Sequence, residues 1–259
     1  MSTPPPPVSS PQQQPVELGL SEATRIVDVF VSPKKTFEDL KTNPSWWVPW
    51  LITSVFGLIF GFIAVQKIDM VQFARHQVEQ SKMAQRQMEQ LSPEQQEQNL
   101  QMRAKISKFF FFTTPLFSLL AGLIYAAVLM AVFNFGFAAE IPFKRALAIV
   151  FYALLPGLLT LILLTVSLLV SSDPNAIDIA GNPIPTNPGF FMNPETSSKF
   201  LYSIISKLDL ITLWTVTLLG LGFSVNSANR KLSAGTAIGT VLAIYAGLAL
   251  IGAGFKAAF

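Results

Sequence analysis

The side chains that could do chemistry are few and scattered. There is no cysteine and one histidine, His76. Disulfides, thiol nucleophiles and cysteine zinc sites are therefore excluded, and a lone imidazole builds neither a triad nor a metal site. No HExxH, no GxSxG with a partner histidine and no paired acids inside an apolar run occur. Two acids stand beside apolar runs. Asp209 opens one of them, five residues before Trp214, and suits a helix N-terminus, where a carboxylate meets the positive end of the dipole. A polar contact between helices is its alternative use. Glu140 follows another run, with Lys144 four residues on and Arg145 beside it, the spacing of a weak surface ion pair. These residues predict no catalytic, cofactor-binding or metal site, and no enzyme.

The charge distribution explains why. The chain has 259 residues, 51% hydrophobic and 13% charged; a soluble domain carries about 25% charged. Five stretches, 42–66, 109–139, 146–172, 210–229 and 232–255, hold no Asp, Glu, Lys or Arg. All the charge sits in the other half. Such a chain is solvated partly by hydrocarbon, which excludes a secreted globular protein, a nucleic-acid-binding domain and a cytosolic enzyme. The predicted fold class is all-α: a polytopic membrane helix bundle of five transmembrane helices with amphipathic and loop helices. The spans fall at about 46–65, 110–137, 146–170, 210–229 and 234–255, each long enough to cross about 30 Å of hydrocarbon. Trp46, Trp47 and Trp50 crowd the first span's start, as in an interfacial belt. Pro115 should bend the second span. Pro156 should kink the third and leave a carbonyl to be satisfied by neighbours or hydroxyls.

The remaining segments are polar. Residues 1–20 form a Pro/Gln-rich tail that buries no core, and 21–259 the membrane domain. The tail's first residues contain no basic residue, so it is not a signal peptide. Ser21 caps a short helix with Ala23, Ile26, Val27 and Phe30 on one face; Ser32-Pro33 starts another with Phe37 and Leu40. These two helices suit either the headgroup layer or the protein's own polar end. The insert 66–108 is Gln-rich but keeps helical spacing, and Ser92-Pro93-Glu94-Gln95 is a helix-start signal. It reads as two water-exposed helices, the second running on toward the next span. The proline-rich 171–198 stretch is a loop.

In lipid, small residues at four-residue spacing let helix backbones approach. The helix-packing candidates are Gly57 and Gly61 in the first span and Gly235, Gly239, Ala243 and Gly247 in the fifth. Intramolecular packing is the simpler reading; self-association or another membrane protein is the alternative. Gly220 and Gly222 also read as packing. Basic pairs at Lys144-Arg145 and Arg230-Lys231, and a 171–198 loop without basic residues, place the N-terminus in the cytoplasm by the positive-inside rule; the seven basic residues of the 66–108 insert oppose it. No glycosylation sequon occurs, which fits a bacterial chain.

Four stretches carry a resemblance: SPKKTFEDL at 32–40 with NPSWWVPWLI at 43–52, EIPFKRALAIVFYALLPGLL at 140–159, and KLDLITLWTVTLLGLGFSV at 207–225, followed by a basic turn and a glycine-rich last span. Over residues 25–255 the chain resembles the Yip (Ypt-interacting protein) domain family in its bacterial form. The resemblance implies five spans and a cytoplasmic N-terminus, and it makes Asp209, Trp214 and Glu140 the polar family-motif candidates. The eukaryotic members are similar to trafficking adaptors that bind small GTPases, but the acidic N-terminal motif that marks them is not evident here. The expected role is a non-enzymatic scaffold or adaptor in a cell membrane, the bacterial inner membrane, with the lipid bilayer and other membrane proteins as partners and no nucleic acid. The alternative is a channel or permease subunit, with Asn134, Ser118, Thr160, Thr165 and Ser167 lining a path.

Overall fold

A computed structural model describes residues 19–179, 181–193 and 196–258. The tail predicted at 1–20 lies almost wholly outside the described residues. Among these, secondary structure is helical throughout, with no strand. Four helices are long and apolar enough to cross a membrane, or five if one bent pair counts as a single span. The chain is an all-α polytopic membrane helix bundle.

The first span is α3 (Trp47–Lys67); before it come α1 (Glu22–Val31) and α2 (Pro33–Asp39). These two do not float at the surface. Val29, Phe37 and Leu40 are fully buried, α1 packs on α7 and α2 on α10, and the Phe30 ring meets Trp214 edge-on at 5.5 Å. Both helices pack on the polar end of the bundle, with Val27 and Val31 left exposed.

After α3 the insert folds as α4 (Met70–Glu79) and α5 (Lys82–Glu89), and α6 starts at Pro93. Ser92 makes a full capping box with Gln95. From there α6 (Pro93–Phe137) continues for 45 residues, about 67 Å at 1.5 Å per residue. Its first turns form an arm with α4 around Ala74, Val78 and Leu100. Pro115 does not break α6. The Phe111 carbonyl, which proline leaves without its usual N–H, accepts from Thr114 Oγ1 at 2.9 Å. Ser118 Oγ and Trp50 Nε1 donate to the Pro115 carbonyl at 2.9 and 3.2 Å.

The third span is two helices, α7 (Phe143–Ala153) and α8 (Gly157–Val170), joined by a tightened turn at Pro156. Leu155 N–H bonds back to the Tyr152 carbonyl at 3.2 Å, so the carbonyl released by proline is satisfied from three residues away. Residues 146–153 are all buried; α7 is the axis on which α1, α3, α6 and α10 pack. Phe133 of α6 and Phe223 of α10 stack nearby, centroids 4.7 Å apart.

The 171–198 stretch holds two single 3-10 turns, then a helix not foreseen in the sequence, α9 (Lys199–Ile205). The fourth predicted span, 210–229, is shorter than expected. Helix α10 (Leu210–Asn226) has 17 residues and meets the length of a span only together with α9, to which it is bent by 56°. It stops at Asn226 because the next residues are tied elsewhere: Ala228 N–H donates to Ala139 O at 2.8 Å and Asn229 Nδ2 to Phe137 O at 2.8 Å. The last helix is α11 (Ala234–Ala258), packed on α9 and α10.

Candidate functional site

The bundle has two polar ends. One joins the α1–α2 hairpin, the α6–α7 turn at 138–142 and the α10–α11 turn at 227–233. The other joins the arm, the 171–198 stretch and the start of α10; Gln80 Nε2 donates there to Asp178 Oδ1 at 3.0 Å.

The first end contains the most heavily buried charge. Ser21 caps α1 by accepting from Thr24 N–H at 3.1 Å, which fixes Glu22 and Arg25 one turn apart. The Arg25 side chain is fully buried, and its Nε donates to Asp39 Oδ2 at 2.5 Å. Its Nη2 makes an ionic contact with the same oxygen, and Nη1 reaches Glu22 Oε1 at 3.2 Å. The other Asp39 oxygen accepts from Leu20 N–H at 2.9 Å. Glu22 Oε2 accepts from the Tyr152 hydroxyl at 2.5 Å, near the end of α7 in the first half of the third span. Thr36 Oγ1 closes the hairpin by donating to the Arg25 carbonyl at 3.2 Å. A buried cation is tolerable only when paired on several sides, and Arg25 is. The sequence reading missed this cluster. Glu22 and Arg25 at i, i+3 were a signal; the partners Asp39 and Tyr152 lie too far along the chain for spacing to reveal.

Beside this cluster lies a recess of about 550 Å³ bordered by Lys41, Glu140, Arg145, Asn226 and Arg230. Glu140, predicted to pair with Lys144 or Arg145, makes no ion pair among the described residues. Glu140 precedes α7, and its φ of 53°, like the 51° of Ala138, is not helical, so the i, i+4 face that such pairing uses does not exist there. Asn134 holds that corner, its side-chain amide exchanging bonds of 2.8 and 2.9 Å with the Ile141 backbone. Arg145 Nη2 donates to the Lys41 carbonyl at 2.9 Å.

Asp209 and Trp214 are not brought together. Asp209 caps α10 at the far end, accepting from Thr212 N–H at 2.7 Å and from the Thr186 hydroxyl. It therefore both answers the helix dipole and ties α10 to the 171–198 stretch. Trp214 faces Phe30. Asp209 also borders a second recess of about 300 Å³, with Asn182, Thr186, Asn187 and Tyr245; the Asn182 and Asn187 amides bond each other.

Of the glycine candidates, Gly57 and Gly61 lie against α6. A Cβ on Gly57 would come 3.3 Å from Thr114 Cγ2, and one on Gly61 2.9 Å from the Phe111 carbonyl oxygen. Among the described residues, nothing in the chain packs against the fifth-span stripe. Nothing lies within 4 Å of a Cβ on Gly239 or Gly247, Gly235 meets only Ser233 at 3.8 Å, and Ala243 is exposed. The reason is angular. Helix α11 buries Ala237 and Val241, and residues two apart lie about 200° apart around a helix, so the stripe is on the opposite side. The close contact comes from α10, where a Cβ on Gly220 would overlap the backbone of Ile238. Gly122 of α6 sits likewise under the Phe151 ring.

Two of the four hydroxyls weighed for a solute path bond within their own helices, and a third, Thr160, borders the second recess. Thr165 Oγ1 donates to Leu161 O at 2.7 Å and Ser118 Oγ to Pro115 O. Among the described residues no group of three His, Asp or Glu stands where it could hold a metal ion. The first end holds a docked hairpin and carries several cations around its recess.

A family model described as the Yip1 domain matches residues 27–252. No curated protein and no solved structure matches the chain.

Proposed function

Because the chain belongs to the Yip1 domain family, we propose that this multi-pass membrane protein works as a non-enzymatic scaffold or adaptor. The observation that carries the reading is α6. One unbroken helix of 45 residues runs from the apolar bundle into a polar arm, where α5 packs only lightly and Met83 and Met102 are half exposed or more. An arm rigidly continuous with a span presents a fixed surface to other membrane proteins or to a second copy.

The membrane is a bacterial cell membrane and the N-terminus faces the cytoplasm. In support, the short paired motifs Lys144-Arg145 and Arg230-Lys231 lie at the same end as Lys34, Lys35 and Lys41, and the 171–198 stretch at the other end has no basic residue, against the seven of the 66–108 insert.

The test is co-purification from gently solubilised membranes, with the full chain and with Lys82–Glu89 replaced by a short Gly/Ser linker. Partners recovered with the full chain and lost with the linker variant are expected. Identical partners from both would reject the arm as the working surface. Solute flux through reconstituted protein would favour the channel reading instead.

A further inference from the structure

The geometry points to a phosphate-binding site in the 550 Å³ recess at the N-terminal end, filled by the headgroup of an anionic phospholipid. Lys41, Arg145 and Arg230 border it with Glu140 as the one acid, an excess of cations. None of these four makes an ion pair among the described residues. Neighbouring Lys34 and Lys35, by contrast, are matched with Glu38 and Asp28. The wall is therefore basic with its charge unspent.

Two buried polar atoms on the wall residues lack partners. Arg145 is anchored through Nη2 on the Lys41 carbonyl while its Nε has none. Asn226, 3% exposed, donates through Nδ2 to the Phe37 and Gly222 carbonyls, and its Oδ1 has none. A guanidinium fixed by one bond and free on its other donors suits a phosphate oxygen, because little ordering is left to lose on binding. Glu140 supplies an acceptor for the hydroxyl or ammonium group that a headgroup carries beyond its phosphate. The depth also fits. Lys41 precedes Trp46 by five residues, and interfacial tryptophans mark the headgroup layer. The volume is in the range of small-molecule sites, roughly 300–1,000 Å³.

The shared chemistry is phosphate, and its source is separated by two arms of one experiment. In the first, full-length protein is taken from nanodiscs of phosphatidylcholine with and without phosphatidylglycerol, and retained lipid is counted by native mass spectrometry. Wild type should keep phosphatidylglycerol through delipidation. The double variant Lys41→Gln/Arg230→Gln should lose it about tenfold, whereas Lys231→Gln, at the same end but outside the recess, should not. Both variants leave the Arg145 bond to the Lys41 backbone in place, and unchanged thermal unfolding checks that they fold. Equal retention by wild type and double variant, or equal loss with Lys231→Gln, overturns the proposal. In the second arm, millimolar inorganic phosphate is added to detergent-purified protein. Stabilisation by free phosphate without phosphatidylglycerol retention rejects the lipid source; retention that free phosphate does not displace supports it.

Discussion

The Tyr152 hydroxyl donates to Glu22 across 2.5 Å, joining α1 to the first half of the third span over 130 residues. Through Glu22 the bond reaches Arg25 and Asp39, so the N-terminal hairpin is fastened to α7 by charge as well as by Val29 and Phe37.

Tyr152→Phe removes that bond and leaves Glu22 with one partner fewer. A hydrogen bond to a charged group is worth about 1.5–3 kcal/mol. Thermal unfolding in detergent should fall accordingly, and protection of α1 from limited proteolysis should drop first. Glu22→Gln should cost less when added to Tyr152→Phe than alone. Full additivity in the double-mutant cycle would mean that the two side chains do not act together.

Asp39→Ala strips the fully buried Arg25 of its shortest contact. Removing one partner of a buried pair costs about 3–5 kcal/mol, so this variant should unfold earlier than any surface substitution. A shift no larger than that of Glu38→Ala, whose lysine partner is exposed, would contradict the burial described.

Gly220→Ala and Gly239→Ala separate a packed glycine from an open one. The first forces a methyl group into the Ile238 backbone and should be destabilising by at least about 1 kcal/mol; the second meets empty space and gains helix propensity. The measurement is unfolding temperature in detergent. Equal effects would show that α11 meets α10 by another face. A large loss at Gly239 in membranes alone would reveal a second chain against the stripe.

Gly122→Ala collides with the Phe151 ring. Phe151→Leu frees that space, and the double variant should be more stable than Gly122→Ala alone. Failure of the rescue would place the clash elsewhere.

Because the native chain has no cysteine, single introduced thiols report sidedness cleanly. Gln80→Cys and Pro185→Cys should label from one side of intact membranes and Lys231→Cys from the other. Reaction of all three from one side would break the topology.

Much of this arrangement was legible in the sequence. Uncharged runs gave the apolar helices, Ser92 and Gln95 the start of α6, Pro156 the break in the third span. The rest was not, for physical reasons. A four-residue spacing defines a helix face but not what meets it, so the α11 stripe and the true contact at Gly220 looked alike. Asn229 ends α10 early through a bond to Phe137, and Arg25 is buried by Asp39 and Tyr152; both depend on residues remote in the chain. Helix α9 is short and follows a proline-rich stretch that reads as loop.

The unbroken α6 and the divided third span differ in continuity. Helix α6 carries one continuous backbone from the arm at Pro93 to the turn at Phe137, so the arm and the span are a single piece of the protein. The third span is interrupted at Leu154–Pro156, so its two halves α7 and α8 meet the bundle as separate segments.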